Sequence, residues 1–352
     1  MAIIDWSSGL SPEKEASTLT APTEPFWCEN LLFCPYDPKS DIGMWLHLGS
    51  VPNDWYLWED RVMIALPGDE GMLSMWAYYP TPNESKPAGA NLVMRCVEPF
   101  KRWTVKFDGF ADYITKAEMT KGGLSAPCTR RRRLVIDLET EMVCPVWDAQ
   151  SRAHSEEGKG DMTTQGWAKE HYEQMYRARG TVRVDDKTYD FDGMGWRDHS
   201  RGPRGGGTGQ PWGGHIIAGG VWNSGRSAIF SCYWRPDGLI TLEGAQVTEK
   251  DGTTYSATFI DPPRVSALIF RGEELTCTLR YAKGEAKLKM ITDKSMWTSM
   301  AKQQAVGIDR SENGLTYVLN YGPVNWDGET GAFYIERSDP LCLPPITLKA
   351  AV

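Results

Sequence analysis

Carboxylates and one short polar run are where this sequence could do chemistry. The segment DGMGWRDHSRGPR, residues 192–204, sets Arg197, Asp198, His199, Ser200 and Arg204 between glycines. A run this dense is either a hydrogen-bonded structural corner or the wall of an active site, and the residues alone leave both open. Upstream, EPFKRWTVKFDGFAD at 98–112 alternates Trp103, Val105 and Phe107 with Arg102, Thr104, Lys106 and Asp108, ahead of Gly109. Asp108 therefore points away from the Trp103 side, toward solvent or a barrel lumen, and Asp before Gly is also common turn chemistry. An aspartic acid kept protonated by apolar, water-poor surroundings can protonate an alkene. The carbocation that follows needs π faces, worth about 0.5–2 kcal/mol each when desolvated. The 15 Trp, 14 Tyr and 10 Phe offer more flat aromatic surface than a core of this size requires, as the lining of an apolar ligand cavity would.

Other chemistries find little support. Asp185, Asp186 and Asp190 in DDKTYD mimic the aspartate-rich signature that holds magnesium and diphosphate. That signature works on a helix, whereas these residues sit at a hairpin turn between alternating runs. The DFDG at 190–193 falls short of a DxDD acid, and the glycine-rich stretch 202–214 lacks the Lys-Ser/Thr pair of a phosphate loop. There is no GxSxG, and His47, His154, His171, His199 and His215 show no metal-ligand spacing, so neither a metal nor a cofactor is expected. The 8 Cys lack a CxxC pair and read as reduced core thiols. Arg130 to Arg133 reads as a solvated strand edge, since Asp137, Glu139 and Glu141 follow it. A net charge of −8 argues against nucleic acid as a partner. No apolar stretch of about 18 residues exists, and the N-terminal residues lack the pattern of a signal peptide, so a cytoplasmic location is expected.

The elements that must position these residues are strands. Runs with period-two alternation recur at 91–108, 131–137, 226–234, 253–260 and 274–291, punctuated by Gly, Pro, Asn and Asp, which predicts an all-β chain with few helices. Residues 165–178 have some helix propensity, but they flow into ARGTVRVDDKTYDFDG without a cap, so a strand is expected after about Tyr172. Segments 80–90 and 151–165 read as exposed loops. With 352 residues, two domains are comfortable, and the expected division is 1–185 and 186–352, the halves meeting near 180–190.

At the residues just described the chain resembles a known family. FCPYDPKSDIGMWLHLG at 33–49, PFKRWTVKFDG, HYEQMYRARGTV at 171–182, the RDHS run and GAFYIERS at 331–338 are similar, in order, to the lipocalin-like superfamily of carotenoid 1,2-hydratases and AttH-like proteins. The sequence departs from the family pattern at Arg201, where relatives carry Trp, which puts one standard substrate contact in doubt. The resemblance implies two lipocalin-like β-barrel or β-sandwich halves with a ligand cavity at or between them. It also implies a choice of activities: hydratases, pericyclases of the Diels–Alderase kind, and a class II meroterpenoid cyclase of the merosterolic acid synthase type.

A dry acid together with many aromatic faces fits the cyclase best within that set, and a hydratase would need the same acid plus a held water. The expected function is a metal-independent, proton-initiated terpene cyclase for a prenylated apolar substrate, which transient membrane contact would deliver. The alternatives are an isoprenoid hydratase, a pericyclase, or a non-catalytic lipid carrier. Asp108 is the expected proton donor, with Asp198 and Asp112 in reserve and His199 open between a structural and a catalytic role. Trp103, Trp196, Arg197, Trp212, Trp222 and Tyr334 are the expected substrate contacts. Arg197, Asp198 and His199 are expected to form one buried network that joins the halves, with Glu173 as acid partner of Arg197.

Overall fold

The structure is a computed structural model that describes residues 4–52, 54–122, 130–204, 213–300, 303–304, 307–308, 315–339 and 349. The alternating runs form β1 (Trp27–Asp37), β2 (Ile42–Val51), β3 (Asp54–Ala65), β4 (Met72–Pro80), β5 (Leu92–Glu98), β6 (Arg102–Ile114), β7 (Arg131–Met142), β8 (Trp147–Asp148), β9 (Lys159–Gly160), β10 (Glu170–Val184) and β11 (Lys187–Pro203). They continue in β12 (Gly214–Trp222), β13 (Ser227–Trp234), β14 (Ile240–Thr248), β15 (Thr254–Ile260), β16 (Glu274–Tyr281), β17 (Gly284–Ile291), β18 (Lys294–Met300), β19 (Gln303–Gln304), β20 (Gly307–Ile308), β21 (Leu315–Trp326) and β22 (Glu329–Asp339). Among the described residues helix is confined to α1 (Lys116–Gly122), α2 (Ala149–Ala153) and short 3-10 turns, so the all-β expectation holds.

The first sheet runs β11-β1-β2-β3-β4-β6-β7-β10 and closes on itself through β10–β11. The second runs β13-β12-β22-β21-β17-β16-β15-β14 and closes through β13–β14. The chain is thus two barrel-like halves, as the lipocalin-like resemblance implies. The boundary differs from the expected one. Residues 185 and 186 are the two-residue turn of the β10–β11 hairpin, in which Val184 pairs with Lys187 and Asp185 takes a left-handed φ of 52°. Both strands of that hairpin belong to the first half, and the chain changes sheet between Pro203 and Gly214. The segment 151–165, expected to be a plain loop, carries part of α2 and a 3-10 turn, and its β9 pairs with β14 of the second half.

Burial patterns show which strands meet. In β6 the pattern alternates, and Trp103, Val105 and Phe107 fill the first barrel while their neighbours face outward. In β2, β12 and β13 every residue is buried, because one face fills a barrel and the other packs on the opposite half. Three large cores result: Leu31, Phe33, Leu46 and Trp58 inside the first barrel; Ile216, Phe230, Leu279 and Trp326 inside the second; and a core between them that includes Cys34, Trp45, Met175, Trp196, Tyr233, Tyr321 and Tyr334, beside a small cluster of Phe100, Val146 and Tyr172. Gly219 allows that approach, since a Cβ there would lie 2.3 Å from Met175 Sδ and 2.9 Å from Trp196 Cδ1. Cross-half bonds add direction: Tyr321 Oη donates to Met44 O at 2.6 Å, and Lys294 Nζ donates to Leu66 O at 2.7 Å. The described cysteines, Cys28, Cys34, Cys96, Cys144, Cys232 and Cys277, are free thiols.

Candidate active site

The polar residues of β10 and β11 divide by strand face. Glu173 is opposite Asp198 in the hairpin and Gln174 is opposite Arg197. Strand alternation therefore sends Gln174, Tyr172, Arg197 and His199 into the end of the first barrel, and His171, Glu173, Trp196 and Asp198 toward the second half. The expected single network of Arg197, Asp198 and His199 is two networks.

Inside the first barrel, Arg197 forks onto Glu15, with Nη1 and Nη2 each 3.0 Å from Oε1. Nη2 also donates to Gln174 Oε1. Glu15, not Glu173, is thus the acid partner of Arg197, because Glu173 occupies the other strand face. Trp103 Nε1, the Phe100 backbone N–H and Tyr172 Oη also donate to the carboxylate, at 2.9, 3.0 and 2.8 Å. Burial alone would raise the Glu15 carboxyl, but Arg197, His199 and these donors outweigh it and hold it down at about 2. His199 bridges Tyr172 Oη at 2.6 Å and Glu29 Oε1 at 2.8 Å, and Arg201 Nη2 shares Glu29 at 3.0 Å. Arg201, the departure from the family pattern, is a structural ion-pair partner here. Glu15 and Glu29 lie far from the RDHS run in sequence, and nothing in their spacing signals the pairing.

Several expected site residues fall outside any common pocket. Asp108 lies on the outer face of β6, with a side chain 66% exposed and ion-paired with Arg133. The strand continues through Gly109, so Asp108 neither ends it nor turns it; a Cβ at Gly109 would meet Asn91 Oδ1 at 2.9 Å. An exposed, paired carboxylate lacks the dry surroundings that keep an acid protonated. Asp112 is also outward-facing, bonded by Arg131 Nε at 3.1 Å. Trp103 and Trp222 fill the interiors of the first and second barrels respectively. Trp212 lies outside the described residues.

The groups that do converge are in the core between the halves. Glu173 Oε2 accepts from Trp196 Nε1 at 2.8 Å, and Glu173 Oε1 is 2.6 Å from His171 Nε2. Desolvation, reinforced by Asp198 and Glu336, pushes the Glu173 carboxyl well above its ordinary range, while burial pushes His171 down to about 3. Protonated Glu173 then donates to Nε2, and neutral His171 carries its hydrogen on Nδ1, 3.6 Å from Asp198 Oδ2. Asp198 is raised to about 8, first by burial and then by Glu336, against the opposing charges of Arg204 and Arg197. Its Oδ1 has no hydrogen-bond partner among the described residues. Asp198 keeps 13% of its side-chain surface accessible, whereas Glu173 keeps none, so Asp198 is the carboxyl a bound molecule can touch.

From the second half, Glu336 accepts from Trp45 Nε1 at 3.0 Å, Tyr334 Oη at 2.8 Å and His215 Nε2 at 2.9 Å. Burial works against its charge, yet those donors hold the carboxyl below its ordinary value. Aromatic rings surround both acids. Trp196 stacks on Tyr334 at 5.3 Å, Trp167 on Tyr233 at 4.6 Å, and Tyr233 on His215 at 5.3 Å. His171, His215 and Glu336 join this candidate site without a local sequence signal beyond HYEQ and FYIERS, because their convergence depends on two distant strands meeting. Among the described residues no three His, Cys, Asp or Glu side chains gather as metal ligands, and no helix is long and apolar enough to cross a membrane.

Comparison with known structures supports the architecture. An AttH candidate from Nitrosomonas europaea superposes with a TM-score of 0.54 at 12% identity, over 90% of this chain and 93% of that one. CghA crystallised with Sch210972 gives a TM-score of 0.53 at 8% identity, over 90% and 89% of the two chains. Kievitone hydratase from Nectria haematococca gives 0.47 at 7% identity, over 89% and 88%. At these identities the first two likenesses are of fold alone. Curated protein sequences give no match. The family whose model matches residues 11–219 is described as a domain of unknown function, DUF7064, and with more than half of its length matched the chain belongs to that family.

Proposed function

We propose that the protein is an acid catalyst that protonates an alkene of an apolar, isoprenoid-type substrate between its two halves, with Asp198 as the proton donor and cyclisation as the outcome. The observation that carries this reading is the setting of Asp198: it shares a strand face with the buried Trp196, its Oδ1 has no hydrogen-bond partner among the described residues, and burial raises its carboxyl to about 8. The role first expected of Asp108 moves to the reserve acid, which has the surroundings the chemistry needs. His171 Nδ1 faces the second Asp198 oxygen at 3.6 Å, beyond hydrogen-bond reach, and protonated Glu173 sets the His171 tautomer. Trp196, Tyr334, Trp167 and Tyr233 offer π faces to a cation formed nearby. That CghA, of similar fold, was crystallised with the small molecule Sch210972 is in keeping with a small-molecule role.

The test is turnover of geranylgeranylated aromatic acids and acyclic carotenoids without added metal. Asp198→Asn should lower kcat at least ~100-fold, the scale of a lost general acid, while ligand binding persists. Wild-type turnover in that variant would remove Asp198 from the role, and binding without turnover in the wild type would point to a carrier.

A further inference from the structure

Each half contributes the same short pattern to the region between them: an aromatic residue and, two positions on along one strand face, an acid. In β11 these are Trp196 and Asp198; in β22 they are Tyr334 and Glu336. The two aromatic rings stack on each other at 5.3 Å and 27°. Asp198 and Glu336 thereby flank a shared aromatic pair from opposite halves. Their surroundings differ in hydrogen-bond polarity. Glu336 receives three donors, from Trp45, Tyr334 and His215, and the His215 ring is itself held by Ser338 Oγ at 2.7 Å from Nδ1. A carboxylate has about four acceptor sites, so these donors leave room for one more contact. Among the described residues Asp198 has no such set of donors, and its Oδ1 has no hydrogen-bond partner. The charge on Glu336 in turn raises Asp198, which places the two acids within electrostatic reach of each other. Two carboxyls pushed apart in this way take opposite proton roles.

We infer that Glu336 is the group that stabilises the carbocation and then removes a proton from the carbon beside it, so that the product is an isomer of the substrate rather than its hydrate. This rests on the reading of Asp198 as proton donor. In the first step the Asp198 O–H proton goes to one alkene carbon, the π electrons form the new C–H bond, and the other carbon becomes cationic. Attack by a further alkene of the same chain closes a ring and moves the positive charge. In the last step a C–H bond next to the cation breaks, its electrons form the new C=C bond, and its proton goes to Glu336. Return of that proton to Asp198 resets the site, so no water, oxidant or other reactant is consumed. Both halves are needed, one for each proton.

Three measurements test the assignment. Turnover of a geranylgeranylated aromatic acid in ¹⁸O-labelled water should give a product of unchanged mass, and turnover in D₂O should place deuterium at the protonated carbon; gain of a labelled water would overturn the inference. Glu336→Gln should lower kcat at least ~100-fold with little change in KM, at a temperature where the variant remains folded, and Glu336→Asp should restore part of the rate. Wild-type turnover in Glu336→Gln alongside an inactive Asp198→Asn would reject Glu336 and keep the donor; wild-type turnover in Asp198→Asn would reject the donor itself. Binding of N,N-dimethyldodecylamine, whose ammonium mimics the cation, needs no turnover. It should weaken about tenfold or more in Glu336→Gln and not in Asp198→Asn, and equal affinity for wild type and Glu336→Gln would overturn the inference.

Discussion

Arg197 and Asp198 are consecutive residues of one strand that serve opposite sides of it: Arg197 seals the end of the first barrel against Glu15, and Asp198 looks toward the second half. A single peptide step separates a forked, fully buried ion pair from a carboxyl whose Oδ1 has no partner among the described residues. The first fixes the backbone on which the second is presented, so the structural corner and the active-site wall that the RDHS run suggests are both present, on alternate residues.

The Glu15–Arg197 pair should therefore act on stability ahead of chemistry. Both side chains are fully buried, and removing one leaves the other charged and unpaired. Arg197→Met is expected to cost about 3–5 kcal/mol in urea unfolding, and Glu15→Gln combined with it should cost less than the sum of the single changes. Strict additivity in that cycle would show that the two groups do not depend on each other.

Asp108→Asn should be nearly silent. Its ion pair with Arg133 is mostly exposed, and such pairs contribute about 0–1 kcal/mol. Turnover is expected to stay at the wild-type level. A large loss of activity with an unchanged melting temperature would restore Asp108 as a functional group.

Gly219→Ala tests how tightly the halves are pressed together. The added Cβ would strike Met175 and Trp196, and overpacking of this kind costs about 1–3 kcal/mol. Because Trp196 also donates to Glu173, the variant should lose activity beyond what its stability loss explains. Met175→Ala in the same chain should recover part of the stability; no recovery would mean that Met175 already yields and that Trp196 is the tight contact.

How much of this was legible in the sequence depends on range. Alternation in β6, β7, β16 and β17 is plain because one face is solvated, and the Asp185–Asp186 turn is plain because turn chemistry is local. The polarity of Asp108 followed from the same alternation, but choosing between solvent and lumen needed the barrel to be closed. The β11 strand is harder to divide, since from Gly195 to Gly202 every residue but Asp198 is buried, and polar residues stand on both faces. Placing Glu173 beside Arg197 was an error of one residue in register, and one residue in a strand reverses every side chain. The Glu15–Arg197 and Asp198–Glu336 relationships join residues more than a hundred positions apart, which no local pattern records.

Acidity offers the sharpest check on Asp198. Its carboxyl moves from an ordinary value of 3.8 to about 8 on folding, with burial the main cause and Glu336 adding to it. Between those values the folded protein holds a proton that the unfolded chain has released, so stability falls as pH rises through that window and levels off above it. Glu173 is shifted the same way and adds to the slope, which makes the difference between wild type and Asp198→Asn the useful quantity. Asparagine carries no charge at any pH, so the variant's melting temperature should rise relative to wild type from about pH 4 to pH 8. Activity should follow the same group in the opposite sense to a base: kcat of the wild type falls above about pH 8 as Asp198 loses the proton it must donate. A melting-temperature difference that stays constant across the window would show that Asp198 is ionised throughout, and an ionised Asp198 has no proton to give.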